Sequence, residues 1–239
     1  MLIGVPKEIK SDEYRIGLTP ESVAILTNGG HQVMVLTKAG LGIGKTDQDY
    51  LSAGAEIAAT RDEIFERAEM IVKVKEPQPD ECALLRSGQI LFTYLHLAPD
   101  PEQTNALVES GVSAIAYESV MAEDHSYPLL TPMSAIAGRL AVQAGASCLE
   151  KAKGGSGILM GGVANVDPAK VVILGGGVVG YNAIEIALGM QADVTVLDKS
   201  ETRLDYLESI FGNNLEVVLA DKASNETFIT TADLLIGAV

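Results

Sequence analysis

Short apolar runs alternate with capped, mixed-polarity segments along this chain. Ile3–Val5, Val33–Leu36, Met70–Val74, Ile90–Leu95 and Ala114–Ala116 are too short for helices and carry few polar residues. That pattern predicts strands buried on both faces. The segments between them carry helix-start chemistry. Thr19-Pro20-Glu21 places a capping hydroxyl, a proline in the first turn and an early acid. Thr60 and Glu63 have the spacing of a capping box, and Asp100-Pro101 opens a helix that stops near Gly111. Strands and helices in strict alternation predict right-handed βαβ units and a parallel sheet.

The pattern changes between Tyr127 and Pro132, which reads as a loop. A long helix is expected from Ser134 to Glu150, with small residues that permit close packing, and residues 151–168 are Gly-rich and irregular. Strands are then expected at Val171–Leu174, Val194–Leu197, Val217–Leu219 and Leu234–Val239. A domain boundary near residue 128 therefore separates 1–127 from 128–239. The chain ends inside an apolar run, IGAV, where a dinucleotide-binding fold normally has further strands. The expectation is an incomplete second domain.

The segment KVVILGGGVVGYNAIEIALGMQADVTVLD, Lys170 to Asp198, is the most specific on the chain. Gly175, Gly177 and Gly180 fall between a strand and a helix that runs to Gly189. An acid, Asp198, ends the next strand about twenty positions on, as dinucleotide-binding turns require. The glycines let backbone approach a pyrophosphate, the helix start presents amides and a positive dipole end, and Asp198 can accept ribose hydroxyls. This predicts a nicotinamide or flavin dinucleotide site.

Composition changes this picture little. The 239 residues are 47% hydrophobic with 24 glycines, which suits a soluble α/β protein. The formal net charge of −15 disfavours nucleic acid and anionic membrane as partners. Cys82 and Cys148 are too few for a disulfide framework and lack metal-ligand spacing, which fits a reducing cytoplasm. The start is charged too early for a signal peptide, and no run reaches the roughly 18–20 apolar residues of a membrane span.

Three sites in the first half carry candidate chemistry. Arg15 follows the acidic group Ser11-Asp12-Glu13, and a planar guanidinium suits bidentate capture of a carboxylate. Lys73 and Lys75 alternate with Val72 and Val74, so period two puts both on one face of a strand end, where open α/β sheets bind ligands. His96 ends the run ILFTYLHL, a position suited to acid–base work near neutral pH. No metal, P-loop or Ser-His-Asp pattern competes.

With these motifs in place, the whole chain resembles the alanine dehydrogenase and transhydrogenase alpha-subunit family. The resemblance rests on IGVPKEIKSDEYRIGLTP, IVKVKEP, LFTYLHLA, LLTPMSAIAGRLA, KGGSGILMGGV and GGGVVG, in that order. It implies a Rossmann-like substrate domain followed by an incomplete Rossmann NAD-binding domain. The implied reaction is NAD-dependent, reversible oxidative deamination of L-alanine to pyruvate and ammonium. Arg15 would bind the substrate carboxylate, Lys75 would polarise the reacting carbonyl or amine, and His96 would shuttle protons, with Met133 beside the substrate. Ser134, at a helix N-terminus, would contact a cofactor phosphate. Val178 and Val179 would meet the pyrophosphate, and Asp198, Arg203 and Val239 would complete the cofactor site. Asp198 favours NAD over NADP by repelling a 2′-phosphate. Ala220 stands where relatives often carry an adenosine-contacting serine, so one contact is expected to be lost. A cytoplasmic homo-oligomer, hexameric in the family, is also implied. The alternatives are a transhydrogenase alpha-subunit-like protein, against which GGGVVG in place of GAGVAG argues, and a catalytically silent chain. The absent family sequence carries a second catalytic group, so only feeble turnover is expected from these residues alone.

Overall fold

The alternating pattern produces two all-parallel sheets. The computed structural model describes residues 1–239 and divides into two units, Met1–Leu129 and Leu130–Val239. In the first unit the strands are β1 (Leu2–Val5), β2 (Gln32–Leu36), β3 (Glu56–Ala58), β4 (Met70–Val72), β5 (Ile90–Thr93) and β6 (Ser113–Ala116). They lie in the order β3-β2-β1-β4-β5-β6, with every pairing parallel. The chain thus builds outward from β1 to β3, returns, and builds the other way from β4. The reversal sits between β1 and β4, where open α/β sheets form their ligand crevice at the strands' carboxyl ends.

Alternation along the strands explains the burial on both faces. Ile3, Val5, Val33, Val35 and Val72 join a core on one face, while Met34, Ala58, Ile71 and Leu91 join a second core with Ile64 and Phe65. Successive side chains point to opposite faces, so β2 and β4 feed both cores. Each fully buried Val or Ile there contributes about 1.5–3 kcal/mol of transfer free energy.

Helices α1 (Pro20–Asn28), α2 (Asp47–Ser52), α3 (Arg61–Arg67), α4 (Pro79–Cys82) and α5 (Pro101–Ser110) cover the sheet. Thr19 caps α1 by accepting from the Ser22 amide at 3.4 Å. Asp100 caps α5 through the Gln103 amide at 3.0 Å, and Gly111 ends it in the left-handed region, φ 68°. At α3, Thr60 accepts from the Glu63 amide, but Glu63 returns its carboxylate to the Ala59 amide, one residue before the cap. The expected capping box is therefore half formed.

Three expectations are corrected here. Strand β3 was not foreseen, because three residues with a glutamate among them carry almost no periodicity. The runs 70–74 and 90–95 are shorter strands, ending at Val72 and Thr93. Strand period therefore does not apply to Lys73 and Lys75, which belong to the loop beyond β4.

The second unit holds α6 (Thr131–Cys148), β7 (Lys170–Leu174), α7 (Val178–Gly189), β8 (Asp193–Asp198), α8 (Glu201–Phe211), β9 (Glu216–Leu219), α9 (Lys222–Thr231) and β10 (Leu234–Gly237). Its sheet order is β10-β7-β8-β9, again parallel throughout. The reversal lies between β7 and β10. Val171, Ile173, Val194 and Val196 pack on Ala183, Ile184 and Ala187 of α7. Truncating Ile173 to alanine in that core costs about 2–5 kcal/mol. Helix α6 begins at Thr131, so Ser134 is its fourth residue, with its amide already donated to the Leu130 carbonyl at 3.0 Å. Ser134 therefore lies in the first turn of α6, three residues after its start. Strand β10 ends at Gly237, two residues before the expected limit.

Candidate functional site

The first unit gathers its polar side chains at the β1–β4 reversal. Strand β1 runs into a loop carrying Glu8, Glu13 and Arg15; β4 runs into Lys73–Glu76; β5 runs into Tyr94–His96. Lys73 is 1% exposed and is not a ligand group. Its Nζ lies 3.1 Å from Glu8 Oε2 and 3.0 Å from Glu81 Oε1. The remaining carboxylate oxygens accept backbone amides, Glu8 from Val74 at 2.6 Å and Glu81 from Gln78 at 2.9 Å. This buried triad pins both ends of the loop that carries Lys75. Burial pushes the Glu8 carboxyl above its ordinary range, with Lys73 opposing.

Arg15 is held by Glu13. Its Nε donates to Oε1 at 2.8 Å and its Nη2 to Oε2 at 2.6 Å, so one edge of the guanidinium is committed to an internal carboxylate. The Arg15 hydrogen bond holds the Glu13 carboxyl below its usual range, and the Lys75 charge adds to the effect. A hollow of about 100 Å³ opens beside Glu8, Glu13 and Arg15, and neither Lys75 nor His96 lines it. Lys75 is half-buried, with its carbonyl accepting from Thr93 Oγ1 at 2.8 Å.

His96 is exposed and sits at φ 48°, in the left-handed region that costs a histidine about 1–2 kcal/mol. Glu118 holds it there, accepting the Leu95 amide at 3.0 Å and the His96 amide at 2.8 Å. The Tyr94 ring lies nearly parallel to the imidazole, with centroids 6.1 Å apart. Burial pushes Glu76 up, but Lys10 and the His96 charge outweigh it and leave the carboxyl low. Glu13 stood beside Arg15 in the sequence, whereas Glu8, Glu81 and Glu118 carried no local signal.

In the second unit the β7–α7 turn has dinucleotide-cradle geometry. Gly175 adopts φ 100°, and a Cβ on Gly180 would lie 1.9 Å from the Gly175 carbonyl oxygen. A Cβ on Gly177 would meet nothing of this chain within 4 Å. Packing thus explains Gly180, while the space beside Gly177 is open. The α7 helix starts at Val178, so the amides of Val178 and Val179 belong to the uncapped first turn. Asp198 Oδ2 accepts the Gly176 amide at 2.7 Å, and Oδ1 accepts Ser200 at 2.9 Å. Arg203 Nε donates to the Gly176 carbonyl, with its guanidinium 4.7 Å above the Tyr206 ring.

A cleft of about 280 Å³ follows, bounded by Gly175, Asp198, Lys199, Ala220, Asn225 and Val239. Met133 and Ser134 lie in the first turn of α6. Ser134 is one turn before Gly138, where a Cβ would come 2.2 Å from the Val179 carbonyl, so that face of α6 lies on the start of α7. The open space at Gly177, the helix start and Asp198 together fit a dinucleotide. No group of His, Cys, Asp and Glu in the chain has metal-site geometry, and no helix is long and apolar enough to cross a membrane.

Known proteins match both units of the chain. Residues 4–137 match the model for the alanine dehydrogenase/PNT N-terminal domain, and residues 141–239 match that for the C-terminal domain. An alanine dehydrogenase of Methanococcus maripaludis is 54% identical over the whole chain, and one of Bacillus subtilis 52%. The chain spans 64% and 63% of the length of these relatives. A solved L-alanine dehydrogenase superposes with a TM-score of 0.90 at 53% identity, covering all of this chain and 66% of that one. With matches to both of its domains in order, the chain belongs to the alanine dehydrogenase/PNT family.

Proposed function

We propose that this chain carries the substrate and dinucleotide groups of an NAD-dependent alanine dehydrogenase, for the reversible oxidative deamination of L-alanine to pyruvate and ammonium. The observation that carries this reading is the Gly175–Gly180 turn tied to Asp198, in a chain half identical to alanine dehydrogenases throughout its length.

In this reading Gly175, Gly177 and Gly180 admit the pyrophosphate, which the Val178 and Val179 amides bind. Ser134 contacts a phosphate from the neighbouring helix. Asp198 accepts ribose hydroxyls and repels a 2′-phosphate, selecting NAD over NADP. Arg203 holds the loop in shape, and Val239 borders the cofactor. Bound there, the nicotinamide supplies a hydride acceptor. Arg15 holds the substrate carboxylate, with Glu13 fixing the guanidinium. Lys75 hydrogen-bonds and polarises the amino or carbonyl end, and Met133 borders the substrate. His96 takes the proton that the amine loses and returns one in the reverse direction. We extend the reading to a homo-oligomer, hexameric as in the family, working in the cytoplasm.

The test is a titration of the purified chain with NADH, followed by alanine-dependent NAD⁺ reduction. NADH binding with alanine-dependent reduction supports the whole reading. The chain spans about two thirds of its relatives' length, so only feeble reduction is expected. Binding without reduction supports the dinucleotide part alone, and absence of binding removes the whole reading.

A further inference from the structure

We propose that Asn182, held by Arg139, is a positioning residue for the dinucleotide pyrophosphate, acting through the Val178–Val179 peptide unit. The assignment rests on the cofactor reading above, which gives the Val178 and Val179 amides to the pyrophosphate. Asn182 lies in the second turn of α7 and is 8% exposed. Its Nδ2 donates to the Val178 carbonyl at 2.9 Å, and its Oδ1 accepts from Arg139 Nε at 3.0 Å. Only one orientation of the carboxamide fits. A guanidinium can only donate and a carbonyl can only accept, so Oδ1 must face Arg139 and Nδ2 must face Val178.

Arg139 reaches Asn182 from α6, and the glycine before it permits the approach. A Cβ on Gly138 would come 2.2 Å from the Val179 carbonyl oxygen and 2.9 Å from Asn182 Cβ. Glu185, three residues beyond Asn182, accepts from Arg139 Nη2 at 2.5 Å. The guanidinium is therefore fixed along α7 by one carboxylate and one carboxamide. A hydrocarbon side chain would fill this buried helix position without needing partners, so the two hydrogen bonds are what the carboxamide adds.

One planar peptide unit joins the Val178 carbonyl to the Val179 N–H. A donor on that carbonyl polarises the unit and makes its N–H a stronger donor. The carbonyl points along α7 toward Asn182, while the N–H points out of the uncapped helix start, where Gly177 leaves open space. The chain of bonds thus carries the influence of the Arg139 charge to an amide at the phosphate-binding end of the helix.

The test measures NADH affinity by fluorescence titration, and ADP and adenosine affinity by displacement of NADH, on the whole 239-residue chain. Asn182→Leu keeps the size of the side chain, removes both hydrogen bonds and leaves Arg139 paired with Glu185. NADH and ADP, which carry the pyrophosphate, should bind about three- to tenfold more weakly, the scale of one hydrogen bond. Adenosine, which has no phosphate, should bind as it does to wild type. Arg139→Met leaves the carboxamide free to turn, and should weaken ADP about twofold or more while sparing adenosine. Arg139 is exposed, so this second variant decides the matter if unfolding curves show that Asn182→Leu does not fold. Unchanged ADP affinity in either folded variant overturns the assignment. An equal loss for adenosine also overturns it, because that marks a structural role alone. Binding of none of the three ligands by wild type overturns the cofactor reading itself, a result distinct from a phosphate-selective loss.

Discussion

The Asp198 carboxylate accepts the Gly176 amide at 2.7 Å, so the acid at the end of β8 holds the middle glycine of the loop that leaves β7. The side chain suited to binding ribose therefore also shapes the phosphate loop beside it. Asp198→Ala should weaken NADH binding and lower stability together. Losing hydrogen bonds to a carboxylate at the loop costs about 1.5–3 kcal/mol. Parallel NADH titration and thermal unfolding check both effects, and an unchanged affinity would remove Asp198 from the ribose role.

Two glycines of the same loop should separate packing from ligand binding. Gly180→Ala forces a methyl to 1.9 Å from the Gly175 carbonyl oxygen. It should destabilise the second unit by about 1–3 kcal/mol or more. Gly177→Ala meets nothing in the chain. That variant should unfold at the wild-type midpoint yet lose most of the rise that saturating NADH produces. If NADH raises both midpoints equally, Gly177 does not border the pyrophosphate.

The Glu8–Lys73–Glu81 triad predicts a pH dependence. Replacing Lys73 with methionine leaves two buried carboxylates without their cation and should cost about 3–5 kcal/mol near neutral pH. Burial already raises the Glu8 pKa in the folded chain, and loss of Lys73 raises it further. Between the unfolded and folded pKa values the native state then holds more protons than the unfolded state. The stability of Lys73→Met should therefore be greatest below the ordinary carboxylate range and fall as pH rises through the raised value. Unfolding curves of both proteins at pH 5, 6 and 7 should show the deficit widening with pH; a constant deficit would contradict this account.

His96 sits in the left-handed region at φ 48°. His96→Gly should be more stable than His96→Ala by about 1 kcal/mol, because glycine adopts that conformation without a Cβ clash. Both should bind NADH as wild type does and lack alanine-dependent reduction. Turnover retained in either variant would take the proton-shuttle role away from His96.

The dinucleotide turn was legible because its information is local. Strand, glycines, helix start and acid follow within thirty residues, and each element is specified by its immediate neighbours. The capping of α1 and α5 was legible for the same reason. Lys73 was misread because a period-two argument was carried past Val72, where the strand ends. Strand β3 escaped because three residues contain too little pattern.

By itself, then, the sequence determined the βα alternation, the burial of both sheet faces and the glycine turn. Tertiary structure alone decided which charges meet. Lys73 and Glu8 stand 65 positions apart in the chain, and Glu118 and His96 stand 22 apart. No propensity or spacing encodes such pairs. They exist because the sheet order brings the carboxyl ends of β1 and β4 together and sets β6 beside β5. Burial then drives Lys73, Glu8 and Glu81 to partner one another.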